Sequence, residues 1–263
     1  MRACFTLLLV LAAPAAAALF HREAPDANVQ TAPAIALRKR LHVNPLIAEP
    51  DTMDIEYGGA FSWDGSFTLP MALHFTPEGH HVWWGRTEFT AAFDSVSSND
   101  GVHVGDRATF AATCVVKDGE KLDIAIAPAA SFLLRGDTGA RLGATAIARY
   151  DVGRSSAGVT VSWSAATRSS PSNPPRTLDL GAGYGFRLAP AGALGHLTPH
   201  VNAVWEKSTG IQRQISIFEG VEYQITDPVA VDFAIQHISL WGGVPDRQFV
   251  IGLTVNTGRF HKR

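Results

Sequence analysis

From Thr52 to the end of the chain, hydrophobic and polar residues alternate with a period of two. A pleated strand imposes that period, because successive side chains leave opposite faces. The last segment, Arg247 to Phe260 (RQFVIGLTVNTGRF), shows it most plainly: Phe249, Ile251, Leu253 and Val255 share one face, and Gln248, Gly252, Thr254 and Asn256 the other. It runs to about ten residues, the length a tilted strand needs to cross a bilayer. The same alternation predicts strands over Thr52–Trp63, Ser66–Phe75, His81–Ser95, Arg107–Lys117, Lys121–Leu134, Arg141–Val152, Gly158–Thr167, Arg176–Leu188, His196–Lys207, Arg213–Ile225 and Val229–Leu240, which with the closing segment makes twelve.

Between them lie turn signals. Asp64-Gly65 and Asp118-Gly119 are hairpin dipeptides, and Ser97–Asp106 and Ser169–Pro175 are polar loops. Connections after strands three, seven, nine and eleven are longer and polar, and those after four, six and ten are short, so the two ends of the sheet are unlike. Two residues resist the pattern. Pro70 has no N–H to give to a central strand. Glu219 falls on the apolar face of strand ten, where a bulge or register shift is expected to accommodate it.

A secreted sandwich would also alternate, but three features favour a barrel in a membrane. The polar faces are small and wet, with Gly, Ser, Thr and Asn among scattered charges. The apolar faces carry aromatics near strand ends (Trp63, Phe75, Trp83, Tyr150, Trp205, Trp241 and Phe260), suited to interfacial girdles. The strands exceed the usual five or six residues of soluble sheets, and closure removes edges that hydrocarbon would leave without hydrogen bonds. The expected fold is all-β: a transmembrane, antiparallel, up-and-down β-barrel of about twelve strands over residues 52–260, with a short tail at 261–263.

Composition narrows the setting. Hydrophobic residues make up 46% and the net charge is −2, so nucleic acid is not an expected partner. Residues 1–18 have a signal-peptide pattern, with Arg2, an apolar run from Phe5 to Ala13 and Ala16-Ala17-Ala18 as the cleavage site. Residues 19–51 then form a periplasmic segment. Within it, Ile35–His42 (IALRKRLH) is spaced for a short amphipathic helix, either as part of a tail or as a plug pairing Arg38, Lys39 and Arg40 with lumenal acids. Cys4 leaves with the signal, so Cys114 has no internal disulfide partner. Past the signal no run of about eighteen apolar residues occurs, so any membrane crossing is by strands. The expected location is the bacterial outer membrane, with outer-membrane lipid and the barrel assembly machinery as partners.

The signal pattern, the repeated strands and the ending IGLTVNTGRF resemble the Gram-negative outer-membrane barrels of transporter-like type, including the family linked to the meta-pathway of phenol degradation. The resemblance covers Thr52 to Phe260. It implies passive, porin-like transport of small solutes, apolar or aromatic.

Parity assigns Asp54, Glu56, Arg86, Glu88, Asp94, Asp123, Arg141, Arg149, Asp179, Arg187, His200, Glu206, Glu222 and Asp232 to the lumen. Acids and bases are mixed there, which suits either salt-bridge networks that stiffen the wall or a row that guides a solute. His74, His80 and His81 are close enough in sequence to be weighed as metal ligands, and His237 and Ser239 share a face as a barrel lipase's pair would. Neither set has a supporting motif, so no catalytic residue, metal site or cofactor is assigned. Two other readings stay open: a non-conducting structural or surface-interaction barrel, and a lipid-modifying outer-membrane enzyme.

Overall fold

Thr52 pairs with Arg259 and Ser62 with Gln248, so the first strand and the last close the sheet on itself. The computed structural model describes residues 47–63, 65–78, 84–97, 107–134, 139–170, 173–210, 213–240 and 246–259. The strands are β1 (Thr52–Ser62), β2 (Phe67–Thr76), β3 (Thr87–Ser97), β4 (Arg107–Lys117), β5 (Leu122–Leu133), β6 (Ala140–Val152), β7 (Ser155–Ala166), β8 (Arg176–Phe186), β9 (Leu197–Ser208), β10 (Gln214–Thr226), β11 (Val229–Leu240) and β12 (Asp246–Arg259). Each is hydrogen-bonded to its neighbours in sequence, and β12 to β1, in one closed antiparallel barrel. Thr52 and Arg259 lie at one rim, called here the terminal rim, together with the tight turns after β4, β6 and β10 and, against the expected sorting, the longer connections after β2 and β8. The opposite, loop rim carries the connections after β3, β7, β9 and β11. The signal pattern, the Ile35–His42 segment, His80, His81, Trp83, Trp241 and Phe260 lie outside the described residues.

Burial runs opposite to that of a soluble sheet. On β7, Val159, Val161 and Trp163 are about half exposed while Ser156 and Thr160 are buried. Tyr150, Leu180, Tyr184, Phe233, Ile235 and Phe249 repeat the exposed row around the barrel, against buried Thr177, His200, Asn202, Gln236 and Gln248. At about 25 cal/mol per Å² of apolar area, such an outer face would be heavily penalised in water. Hydrocarbon is the solvent that suits it, and the fold is that of a membrane-spanning barrel.

Pro70 stays in β2, and the ladder shifts around it. Leu69 pairs with Val96 but Pro70 with Asp94, so β3 carries one extra residue at that point. The β1–β2 ladder is also interrupted between Tyr57↔Met71 and Ala60↔Thr68. A residue without an N–H is tolerated where pairing is already broken.

Glu219 is not moved by any bulge. It pairs in regular register with Val201 on β9 and Ile235 on β11, and its side chain is exposed on the apolar face. The only irregularity between β10 and β11 lies further along, between Gln224 and Thr226.

Ahead of β1 the chain turns inward. Asp51 has φ 64°, in the left-handed region, and its N–H donates to the Thr76 carbonyl at 2.8 Å. Thr52 Oγ1 donates to the Glu49 carbonyl at 2.7 Å. This corner places Ile47 and Ala48 against the inner wall.

Candidate functional site: the barrel lumen

The registers bring the inward polar residues into separate clusters. Near the terminal rim, β1, β2 and β3 place Asp54 opposite His74 and His74 opposite Thr90. His74 is buried. Its Nδ1 lies 3.1 Å from Glu88 Oε1 and 3.0 Å from Thr90 Oγ1, and its Nε2 lies 3.4 Å from Glu56 Oε2. The second oxygen of Glu88 accepts the Ala48 N–H at 2.7 Å. Asp54 accepts from Asn256 Nδ2 at 2.6 Å, which joins this cluster to the strand that closes the barrel.

Further round, β9, β10 and β11 bring His200, Glu222 and Asp232 together. Glu222 pairs with Asp232 across β10–β11, and His200 Nε2 is 3.6 Å from Asp232 Oδ1. The imidazole lies over Gly220, where a Cβ would approach Nε2 to 2.7 Å and the Phe233 carbonyl to 2.6 Å. Only a residue without a side chain leaves that space.

Toward the loop rim, Asp179 and Glu206 face each other across β8–β9. Ser208 Oγ donates to Glu206 at 3.2 Å. Arg141 is held by Ser164 Oγ at 2.9 Å, Thr177 Oγ1 at 3.0 Å and the Pro174 carbonyl, which fastens the β7–β8 loop to the wall. At the terminal rim Arg149 Nε donates to Asp151 at 2.7 Å, and Asp123 accepts the Gly119 N–H of the β4–β5 turn at 3.1 Å.

Part of the inner wall is apolar. Val115, Ala125 and Ile147 stand opposite one another across β4, β5 and β6, buried on the inner face, and Ile47 packs against them. One wall near the terminal rim is therefore apolar while the facing wall carries carboxylates and histidines.

Two expected lumenal residues are elsewhere. Arg86 is exposed on a 3-10 turn, Trp84–Arg86, because β3 begins only at Thr87. Arg187 is exposed just past the end of β8, where its N–H donates to the Arg154 carbonyl at 2.9 Å. In both places the alternation of the sequence runs beyond the strand into a turn. Asp94 sits on β3 opposite Pro70, and its side chain lies outside the described residues. Sequence pattern missed the central part of His74, which meets two carboxylates and Thr90. The signal that could have found it is its wet-face parity on strand two beside Glu56. It missed Ala48 altogether. His237 and Ser239 stand on the outward face of β11, away from the lumen.

No family model matches the chain, and no curated protein matches it in sequence. Among solved structures, the KdgM porin is similar over 79% of this chain and 99% of its own, at 12% identity and a TM-score of 0.55. The KdgM porin in complex with disordered oligogalacturonate is similar over the same shares, at 11% identity and a TM-score of 0.53. A chain from work on in-meso crystallization of membrane proteins gives 9% identity and a TM-score of 0.52, covering 78% of this chain and 85% of that one. At these identities the likeness is one of fold alone, a closed antiparallel barrel.

Proposed function

We propose that the chain stands in the bacterial outer membrane and passes small solutes through its lumen by diffusion, without cofactor or energy input. One observation carries this reading: a closed barrel whose outer face is apolar and whose inner wall is lined by Glu56, His74, Glu88, Arg141, Asp179, His200, Glu206, Glu222 and Asp232. The fold likeness to the KdgM porin supports it. A lumen with an apolar strip at Val115, Ala125 and Ile147 facing carboxylates suits small solutes with an apolar or aromatic body and a polar end. The resemblance of the strand pattern and ending to the phenol-degradation barrels points to the same class.

A second reading, a barrel that does not conduct, draws support from the lumen side. Ile47 and Ala48 lie against the inner wall, and inward-facing Phe218, Val250 and Asn202 are almost wholly buried. Refolded protein in planar bilayers separates the two. Discrete conductance steps, together with uptake of a substituted phenol into vesicles ahead of a sugar of similar mass, are expected for the channel. A folded, heat-modifiable barrel that gives no steps and no uptake assigns the chain to the second reading.

A further inference from the structure

One row on the inner wall joins two polar side chains across bare backbone. Arg149 on β6 pairs with Gly158 on β7, Gly158 with Gly183 on β8, and Gly183 with Asn202 on β9. The next row toward the terminal rim runs through Asp151, Ser156, Gly185 and His200. All of them face inward, because their chain neighbours Tyr150, Ala157, Tyr184 and Val201 are exposed on the outer face. No side chain rises from the wall at Gly158, Gly183 or Gly185, which leaves a recess with Arg149 and Ser156 on one side and Asn202 on the other.

The polar atoms around this recess are buried and unmet. Asn202 is 1% exposed and Ser156 7%, and among the described residues nothing hydrogen-bonds to Asn202 Oδ1 or Nδ2, Ser156 Oγ or Arg149 Nη1. Nearer the loop rim the same strands satisfy their own hydroxyls, Thr145 with Ser162 at 2.8 Å and Thr177 with Ser208 at 2.7 Å. Buried donors and acceptors without partners are costly, and each calls for something to meet it. Arg149 Nη1 and Asn202 Nδ2 can donate, Asn202 Oδ1 can accept, and Ser156 Oγ can do either. The charge of Arg149 is already answered, since its Nε donates to Asp151 at 2.7 Å and Asp123 stands opposite it on β5. What the guanidinium still offers is an N–H for a neutral oxygen. Asn202 sets a donor beside an acceptor, which one hydroxyl answers by accepting from the first and donating to the second. Phe218 stands across from Asn202 on β10, and the bare peptide planes of Gly158 and Gly183 admit a flat body at close range.

We propose that this recess binds a neutral phenol carrying a carbonyl group across the ring from its hydroxyl. The carbonyl oxygen accepts from Arg149 Nη1 and Ser156 Oγ, and the ring lies over Gly158 and Gly183. The phenolic hydroxyl donates to Asn202 Oδ1 and accepts from Asn202 Nδ2. Three strand spacings separate Arg149 from Asn202, about 14 Å along the wall, a span that the two side chains and one ring fill. The inference names a substrate class for the lumen, and it rests on the transport reading for the solute's route to the recess.

The test is equilibrium dialysis of the refolded barrel in detergent against empty micelles, with para-hydroxyacetophenone as the probe at a slightly acidic pH that keeps its hydroxyl protonated. Phenol, which lacks the carbonyl, and acetophenone, which lacks the hydroxyl, are each expected to bind roughly tenfold more weakly. Equal binding of the three by the natural protein overturns the proposal, and this arm needs no variant to fold. Binding of para-hydroxybenzoate more tightly than the ketone overturns the neutral class and makes the recess an anion site. Asn202→Leu is expected to lose the preference over acetophenone and to keep that over phenol. Gly183→Val, which stands a side chain on the floor, is expected to lose the ketone while the barrel stays heat-modifiable on gels, and full binding by that folded variant overturns the proposal. Binding without conductance in the same preparation keeps the recess and removes the channel, whereas conductance without binding keeps the channel and removes the recess.

Discussion

His74 Nδ1 stands 3.1 Å from Glu88 Oε1, on adjacent strands and both buried, and the other oxygen of Glu88 receives the N–H of Ala48. One carboxylate thus ties the wall of the barrel to the segment ahead of its first strand. Glu88→Ala leaves an imidazole and a backbone N–H buried without that acceptor. A loss on the order of 3 kcal/mol is expected, measured as the urea midpoint of the refolded barrel in vesicles. Glu88→Gln, which keeps an acceptor oxygen, is expected to lose less than half of that. Equal stability of all three proteins would show that the contact contributes nothing.

Ala48 offers a way to release the segment without touching the wall. Proline has no N–H to donate, so Ala48→Pro removes the 2.7 Å bond to Glu88 while β1 to β12 keep their residues. If Ile47 and Ala48 narrow the passage, single-channel conductance rises in this variant and the unfolding midpoint moves little. Conductance identical to the natural protein would mean that the segment does not obstruct flow.

Glu219 is a carboxylate near the middle of β10 with Val201 and Ile235 as its cross-strand neighbours. A charge on the lipid face is costly in proportion to depth, and less so for an acid than for a base. Glu219→Leu is expected to stabilise the barrel by roughly 1 to 2 kcal/mol in phospholipid vesicles. The same substitution in a detergent micelle, where water reaches the surface more easily, is expected to gain less. A destabilised Glu219→Leu barrel would mean that the carboxylate has a stabilising partner in the membrane.

The strands were legible because each has to satisfy two solvents at once, and residues that do so must alternate. Arg107–Lys117 and Val229–Leu240 can be drawn from the sequence to the residue. Where alternation continues past the last ladder bond, as at Arg86 and Arg187, sequence cannot tell strand from turn, since the backbone pairing that ends a strand belongs to its neighbour. The partners inside the lumen were not legible for a related reason. Asp54 and Asn256 are 202 residues apart and meet only because the barrel closes. His74 meets Glu88 only because the β2–β3 register, reset at Pro70, sets His74 beside Thr90. Parity says which side a residue faces; register says whom it touches.

Phe218 and Phe249 test the two faces against each other. Phe218 is inward and almost wholly buried, opposite Asn202 and Gln236, whereas Phe249 is exposed on the outer face. Phe218→Ala opens a cavity in the packed interior and is expected to cost about 3 to 5 kcal/mol. Phe249→Ala exchanges protein for lipid around the vacated space and is expected to cost clearly less. Vesicle unfolding of the pair checks the order, and a reversal would mean that the assigned faces are exchanged.

Glu222 and Asp232 form the acidic side of the passage beside His200, with no arginine of the lumen paired to either in register. Among the described residues of the inner wall, Asp54, Glu56, Glu88, Asp123, Asp179, Glu206, Glu222 and Asp232 outnumber Arg107, Arg141 and Arg149. A narrow passage lined by one sign of charge gathers the opposite ion, so a conducting barrel is expected to prefer cations. Glu222→Gln with Asp232→Asn removes two of those charges at one level without changing side-chain size. The reversal potential in a salt gradient is then expected to move toward zero, with conductance largely kept. Because His200 Nε2 lies 3.6 Å from Asp232 Oδ1, Asp232→Asn alone also alters the contact with the imidazole, and Glu222→Gln alone gives the cleaner measure of the charge effect. An unchanged reversal potential in the double variant would place the conducting path away from β10 and β11.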